Sequence, residues 1–193
     1  MMLSERYLEA AQVLVREILR REMTAIRRAA EWCVEAKRAG KQLWHLDIGH
    51  FPPFETAPER AGNPRLLEPL SYRLEEVQKI ERGDVLVFGS ILGVFALSVD
   101  ICAQAKEKGA KVVYIGSPVD RKVVPPQHPS GKRVADVAHL VIRTHVPYTD
   151  GVLEESWLPT PACPLSGFAN TLVYWMLNAE ILRLLGAGKV SEG

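Results

Sequence analysis

The chain has 193 residues, with 24 basic and 23 acidic side chains, a formal net charge of +1, and 47% hydrophobic residues. This length predicts a single domain with a core large enough to fold without a disulfide or a metal ion. The balanced charge argues against a protein that binds a nucleic-acid backbone. No apolar run approaches the ~20 residues of a membrane span, and residues 1–6 lack the pattern of a secretory signal. We therefore expect a cytoplasmic protein with neither a nucleic-acid nor a membrane partner.

The cysteines and histidines do not follow the spacing of a metal site. Cys33, Cys102 and Cys163 form no C-x-x-C pair and are odd in number, which is typical of buried thiols in a reducing compartment. His45 and His50 could bind zinc together with a carboxylate, but their spacing does not support this. The chain also lacks a G-x-G-x-x-G fingerprint and a Walker loop. We expect no metal and no cofactor.

The first forty residues show a helical pattern. Apolar residues recur there at steps of three and four, at Ala11, Val15, Leu19, Met23, Ile26, Ala30 and Cys33. This spacing predicts one long helix that ends at Gly40. We expect residues 1–40 to form an arm that packs on the domain or on a dimer partner, and residues 41–193 to form the domain itself.

After Gly40 the pattern changes to strands and helices in alternation. Strands are predicted at residues 42–49, 84–89, 111–116 and 140–145, with a further candidate at 65–71. Helices are predicted at residues 71–80, 92–109 and 165–185, the last ending at Gly186 and Gly188. Almost continuous apolar strands indicate burial on both faces, as in a parallel sheet. The sequence therefore predicts an α/β fold, a three-layer α/β/α sandwich with a doubly wound parallel sheet.

Two of the predicted strands are followed directly by a Gly-Ser pair, Gly89-Ser90 and Gly116-Ser117. Ligands of such sheets bind beyond the carboxyl ends of the strands, where loop N–H groups and hydroxyls can hold an anion. Tight turns alone would also explain both pairs. The chain has no Gly-x-Ser-x-Gly elbow, which argues against esterase chemistry, as the missing Walker loop argues against nucleotide hydrolysis.

Two stretches resemble a known family. Residues 83–90 and 105–115 resemble the central strand–helix–strand unit of sugar isomerase (SIS) domains. The stretch 128–138, which begins His-Pro-Ser-Gly-Lys, resembles a segment of an uncharacterised SIS subgroup of phosphosugar-binding proteins. That subgroup has, in chain order, a Gly-His pair at a strand end, a Glu and an Arg-Ala-Gly. The matching residues here are Gly49-His50, Glu55 and Arg60-Ala61-Gly62. The resemblance implies a flavodoxin-like strand order and a phosphosugar ligand. The long N-terminal helix and the apolar C-terminal helix offer more hydrophobic surface than one sheet needs to cover, so we expect a homodimer or higher homo-oligomer.

The resemblance also implies a set of site residues. Isomerisation of a sugar phosphate needs a base and often an imidazole, so the candidate catalytic residues are Glu55, His50 and His128. The candidate ligand-binding residues are Gly49, Gly89, Ser90, Gly93, Ser117, Ser130 and Lys132. Simpler roles remain open for three of them: Glu55 as a helix cap, His128 as a turn residue bonded to the backbone, and Ser130 as a helix N-cap.

The loop after Gly89 departs from the family pattern. SIS phosphate loops carry several hydroxyls, whereas this chain keeps Ser90 and has Ile91, Leu92 and Val94. Each lost bond to a charged oxygen would cost ~1.5–3 kcal/mol of binding free energy. We therefore expect a SIS-type protein that binds a phosphosugar or related carbohydrate derivative. The alternatives are a sugar-phosphate isomerase or amino-sugar-phosphate lyase that uses Glu55 and a histidine, and a non-catalytic homodimeric scaffold.

Overall fold

The computed structural model describes residues 1–48 and 53–190. Five parallel strands form the central sheet in the order β2-β1-β3-β4-β5, which is the flavodoxin order. These strands are β1 Leu43–Asp47, β2 Glu68–Pro69, β3 Val85–Gly89, β4 Lys111–Gly116 and β5 Leu140–Arg143. The predicted fold class and strand order are therefore confirmed. Strands that are buried on both faces need helices on each side of the sheet.

Helices cover both faces of the sheet. They are α1 Leu3–Arg21, α2 Met23–Arg38, α3 Pro53–Thr56, α4 Ala96–Glu107, α5 Val134–Val137 and α6 Ser166–Val190, with a 3₁₀ helix at Leu74–Lys79. Side chains alternate along each strand. Val85 and Val87 therefore pack in one core with α2 and α6, while Leu86 and Phe88 pack in a second core with α4 and α5. The result is the predicted three-layer arrangement.

The prediction of one long N-terminal helix is wrong. The helix is interrupted at Glu22, which ends α1 and precedes α2. The Glu22 carboxylate accepts a bond from the backbone N–H of Arg143 (3.0 Å) and pairs with the ring of His145 (2.8 Å), both at the end of β5. This long-range contact stabilises the break between α1 and α2. The apolar spacing of residues 1–40 continues across the break, so the spacing did not reveal it. The division into an arm and a domain remains a prediction, and α2 contributes side chains to the core that contains Val87.

The C-terminal region differs from the prediction in two ways. Helix α6 continues through Gly186 and Gly188, which were expected to end it. A two-stranded antiparallel ladder, β6 Gly151–Leu153 with β7 Ala162–Pro164, was not predicted. Three-residue strands give too short an alternation to detect in the sequence. The described part of the chain contains no helix long and apolar enough to cross a membrane.

Candidate functional site

The loop after β3, which was expected to hold a phosphate, is packed against β4. The Ser90 hydroxyl accepts a bond from the Gly93 N–H (3.3 Å), and the Tyr114 hydroxyl donates to the Ile91 carbonyl (3.2 Å). A Cβ atom added at Gly116 would lie 2.0 Å from the Ser90 carbonyl oxygen, so β4 and this loop approach each other as closely as glycine permits. Ser90 is only 2% exposed, and its hydroxyl is surrounded by protein.

The second predicted hydroxyl is also engaged. Ser117 is 8% exposed, and its Oγ donates to the Val146 carbonyl oxygen at 2.6 Å. A phosphate needs hydrogen-bond donors, and this proton already has an acceptor. In this conformation Ser90 and Ser117 therefore hold the loops together, and neither presents a free hydroxyl group to solvent.

Among the proposed catalytic residues, Glu55 and His128 lie in separate environments. Glu55 pairs with Arg60 at 2.9 Å and lines an open groove beside Phe168 and Trp175 of α6. His128 bonds to Asp100 and Ser130. No hydrogen bond joins Glu55 to His128 within the described ranges. The predictions for Gly49 and His50 fall outside the described residues.

His128 and Ser130 are brought together, with Lys132 beside them. His128 Nδ1 lies 2.6 Å from Ser130 Oγ, and its Nε2 lies 3.0 Å from Asp100 Oδ1. The Lys132 backbone N–H approaches the same Ser130 oxygen at 3.4 Å. Ser130 caps no helix, because α5 begins only at Val134 and Arg133 occupies its N-cap position.

A cavity of about 320 Å³ opens at the carboxyl edge of the sheet, between the ends of β1 and β2. Its walls include His45, Asp47, Thr56, Pro58, Pro69 and Leu70. His45 is 8% exposed, and its Nε2 has no hydrogen-bond partner among the described residues. Burial lowers the pKa of His45 to about 4, so the imidazole is neutral at pH 7.

A buried imidazole nitrogen without a partner is unusual, because leaving such an atom unpaired costs about 1–3 kcal/mol. The neutral ring can donate or accept a hydrogen bond, depending on its tautomer. From the sequence, His45 was weighed only as a zinc ligand. The signal that could have identified it is a histidine between apolar residues of a strand, two residues before the strand's carboxyl end.

The donors available in the described residues do not form a metal cluster. No group of three or more His, Cys, Asp or Glu side chains in residues 1–48 and 53–190 could hold a metal ion.

Comparison with known sequences gives relatives of uncharacterised function. No protein-family model matches the chain. A UPF0309 protein of Halalkalibacterium halodurans is 28% identical over 201 residues, which cover 92% of this chain and 80% of that protein.

Comparison with solved structures defines the class of fold. A Bacteroides fragilis protein, proposed to be a phosphosugar isomerase involved in capsule formation, has a TM-score of 0.62 at 17% identity and matches 96% of this chain and 92% of its own. A phosphoheptose isomerase from Neisseria gonorrhoeae gives 0.57 at 16% identity, covering 93% and 98%. The sugar isomerase domain of an RpiR transcription factor from Sphaerobacter thermophilus gives 0.59 at 13% identity, covering both chains in full (100%).

The chain therefore has the fold of the sugar isomerase domain proteins. The resemblance that the sequence indicated is confirmed at the level of the fold. The structural relatives include both an isomerase and a domain of a transcription factor, and this fold alone does not choose between catalysis and ligand binding.

Proposed function

We propose that this protein binds a phosphosugar or related carbohydrate derivative at the carboxyl edge of its parallel sheet, in the cavity lined by His45. The observation that carries the proposal is His45: the residue lines that cavity, and its buried Nε2 has no partner among the described residues. A local opening of the wall would let a sugar hydroxyl give this nitrogen the partner that the protein does not supply. Because His45 is neutral, it suits an uncharged hydroxyl better than a phosphate.

The phosphate would need a different anchor, and the N-terminus of α4 has suitable features. This helix, which is described in full, has neither a capping side chain nor an acidic residue in its first turn. Its first N–H groups therefore remain available to an anion. Tyr72 bonds to Ser98 of that turn at 3.0 Å, and Leu70, two residues earlier, lines the His45 cavity. The short segment from Leu70 to Tyr72 thus contacts the cavity at one end and the first turn of α4 at the other.

A second candidate, a sugar-phosphate isomerase or amino-sugar-phosphate lyase, is favoured by the position of Glu55. This carboxylate directly precedes Thr56, which lines the same cavity as His45. A ligand that extends from this cavity past Thr56 to the groove of Glu55 would meet both a base and an imidazole. Turnover that is lost in Glu55→Gln while binding is retained would establish the enzyme. Binding without turnover in the wild-type protein would establish the binding module.

The test is calorimetric titration and thermal unfolding with glucose 6-phosphate, glucosamine 6-phosphate and sedoheptulose 7-phosphate, with glucose and inorganic phosphate for comparison. A phosphosugar at 100 times its Kd should stabilise the fold by about 2.7 kcal/mol, which corresponds to roughly 5–10 °C. His45→Leu should weaken binding about tenfold or more.

The matched control is Asn178→Leu. Asn178 is also buried with an unpartnered atom, Oδ1, but it lies on α6 and does not line the cavity. Its substitution should leave the affinity unchanged. If none of the three phosphosugars shifts unfolding, the proposal that this cavity binds a phosphosugar is wrong. If His45→Leu binds as well as the wild type, the ligand site is elsewhere.

A further inference from the structure

We propose that Asp100, His128 and Ser130 form a serine-activating relay, through which Ser130 accepts an acyl group from small activated esters. The three residues come from two elements. Asp100 lies on α4, whereas His128 and Ser130 lie in the loop between β4 and α5. His128 Nε2 is 3.0 Å from Asp100 Oδ1, and Nδ1 is 2.6 Å from Ser130 Oγ. None of the three lines the His45 cavity, so this proposal is independent of sugar binding.

The bonding pattern fixes the direction of the relay. An ionised carboxylate can only accept, so Asp100 assigns the imidazole proton of His128 to Nε2. Nδ1 is then an acceptor, which agrees with the Ser130 backbone N–H donating to it at 3.1 Å. The Ser130 hydroxyl therefore points its proton at the base. A nucleophile bonded to a base, which is itself oriented by a third group, is the arrangement that activates serine.

The surroundings of Ser130 suit the attack of a hydroxyl on an ester. Ser130 is exposed, whereas His128 is partly covered. The Lys132 backbone N–H lies 3.4 Å from Ser130 Oγ, and the Lys132 side chain is exposed two residues away. These groups place positive potential beside Ser130 Oγ, which favours the loss of its proton as it attacks. Ser130 is exposed, so a small activated ester can reach it.

The reaction balances without a cofactor. Ser130 Oγ attacks the ester carbonyl carbon as its proton passes to His128 Nδ1. The bond to the leaving alcohol breaks, and the alcohol takes that proton. Water then attacks the acyl-serine and gives a proton to Nδ1. The bond between the acyl group and Ser130 Oγ breaks, the carboxylic acid leaves, and Oγ takes the proton back from Nδ1. Asp100 stays ionised throughout and acts as a positioning residue. Ser130 lies outside a Gly-x-Ser-x-Gly elbow, which explains why esterase chemistry was not expected from the sequence.

The experiment uses the full chain with p-nitrophenyl acetate and with a fluorophosphonate probe, which phosphonylates activated serines with loss of fluoride. Mass spectrometry of the labelled protein should find the adduct on Ser130, and the ester should give a burst of about one acyl group per chain. Ser130→Ala should abolish both. His128→Gln should slow labelling about 100-fold or more, since a general base contributes 10²–10⁴-fold.

Ser156→Ala is the matched control, because Ser156 is an exposed loop serine outside the relay. It should label at the wild-type rate. For the positioning role, Asp100→Asn should slow labelling about tenfold or more without lowering the unfolding temperature, and Asp100→Glu should restore part of the rate. Absence of a Ser130 adduct on the wild-type protein, an adduct on Lys132, or equal labelling in His128→Gln would overturn the relay. In that case the three side chains only fasten the loop to α4.

Discussion

Ser117 donates its hydroxyl proton to the carbonyl oxygen of Val146 at 2.6 Å, which joins the loop after β4 to the loop after β5. Both residues are buried. The bond therefore stabilises the carboxyl edge of the sheet, where the fold binds its ligands. A hydroxyl that the sequence marked as a phosphate contact thus has a structural role in this conformation.

Ser117→Ala should lower the free energy of unfolding by about 1–2 kcal/mol, because it leaves the buried Val146 carbonyl unpaired. Urea denaturation measures this loss. The affinity for a phosphosugar should not change. Ser156→Ala, in an exposed loop, should stay within about 0.5 kcal/mol of the wild type. A stable Ser117→Ala protein with weakened phosphosugar binding would instead return Ser117 to the ligand site.

His45 should make the protein sensitive to acid. Its pKa is about 4 in the folded state and 6.5 when exposed, because burial disfavours the charged ring. Above pH 6.5 the residue is neutral in both states and has no effect. As the pH falls from 6.5 towards 4, only the unfolded chain takes up the proton, so stability decreases by up to about 3 kcal/mol. His45→Leu removes this difference. Urea denaturation at pH 7 and pH 4 should show the wild type losing more stability than the variant, and equal losses would contradict the assignment.

Gly186→Ala distinguishes a helix interior from a helix end. In the structure Gly186 lies within α6, and a Cβ there would meet nothing within 4 Å. Alanine should therefore stabilise the protein by about 0.5–1 kcal/mol. If the helix ended at a left-handed Gly186, the same change would destabilise it. Gly131→Ala is the comparison, because Gly131 has φ +69° and equally open surroundings, and alanine there should cost about 1 kcal/mol.

Glu22→Ala should destabilise the protein by about 2–4 kcal/mol, since it removes an acceptor that Arg143 and His145 share at a buried position. Glu22→Gln, which keeps one side-chain oxygen, should lose less. Glu17→Ala alters another acid of the same arm, whose partners are exposed arginines, and it should have little effect. Chemical denaturation of the three variants checks the order, and equal stabilities would show that the contact between Glu22 and β5 contributes nothing.

The fold could be predicted from the sequence because its signals are local. The run Val112–Ile115 is apolar throughout, and β4 was predicted with its observed ends. The interruption at Glu22 could not be predicted, since it depends on a contact with β5, more than a hundred residues away. The continuation of α6 was missed because a glycine permits a helix end without requiring one.

The candidate site was predicted less well, for a physical reason. A sequence places Ser90 and Ser117 at strand ends, but it does not show that Tyr114 and Gly116 draw the loop against β4. It also gave no sign that the nitrogen of His45 is unpartnered, because that depends on every neighbouring side chain. His128 and Ser130 are two residues apart, so the sequence places them together. Their partner Asp100 lies on α4, 28 positions before His128, and only the fold brings it to the histidine ring.

Each of the two outer strands of the sheet has an outward position with no free backbone N–H. Leu70 turns its N–H inward to His45, so its neighbour Pro69 faces outward on β2, and proline has no N–H to offer. On β5 the outward N–H of Arg143 is taken by Glu22. A foreign strand would meet no free donor at either position. The contact that interrupts the N-terminal helix therefore also removes one donor from an edge at which another chain could pair.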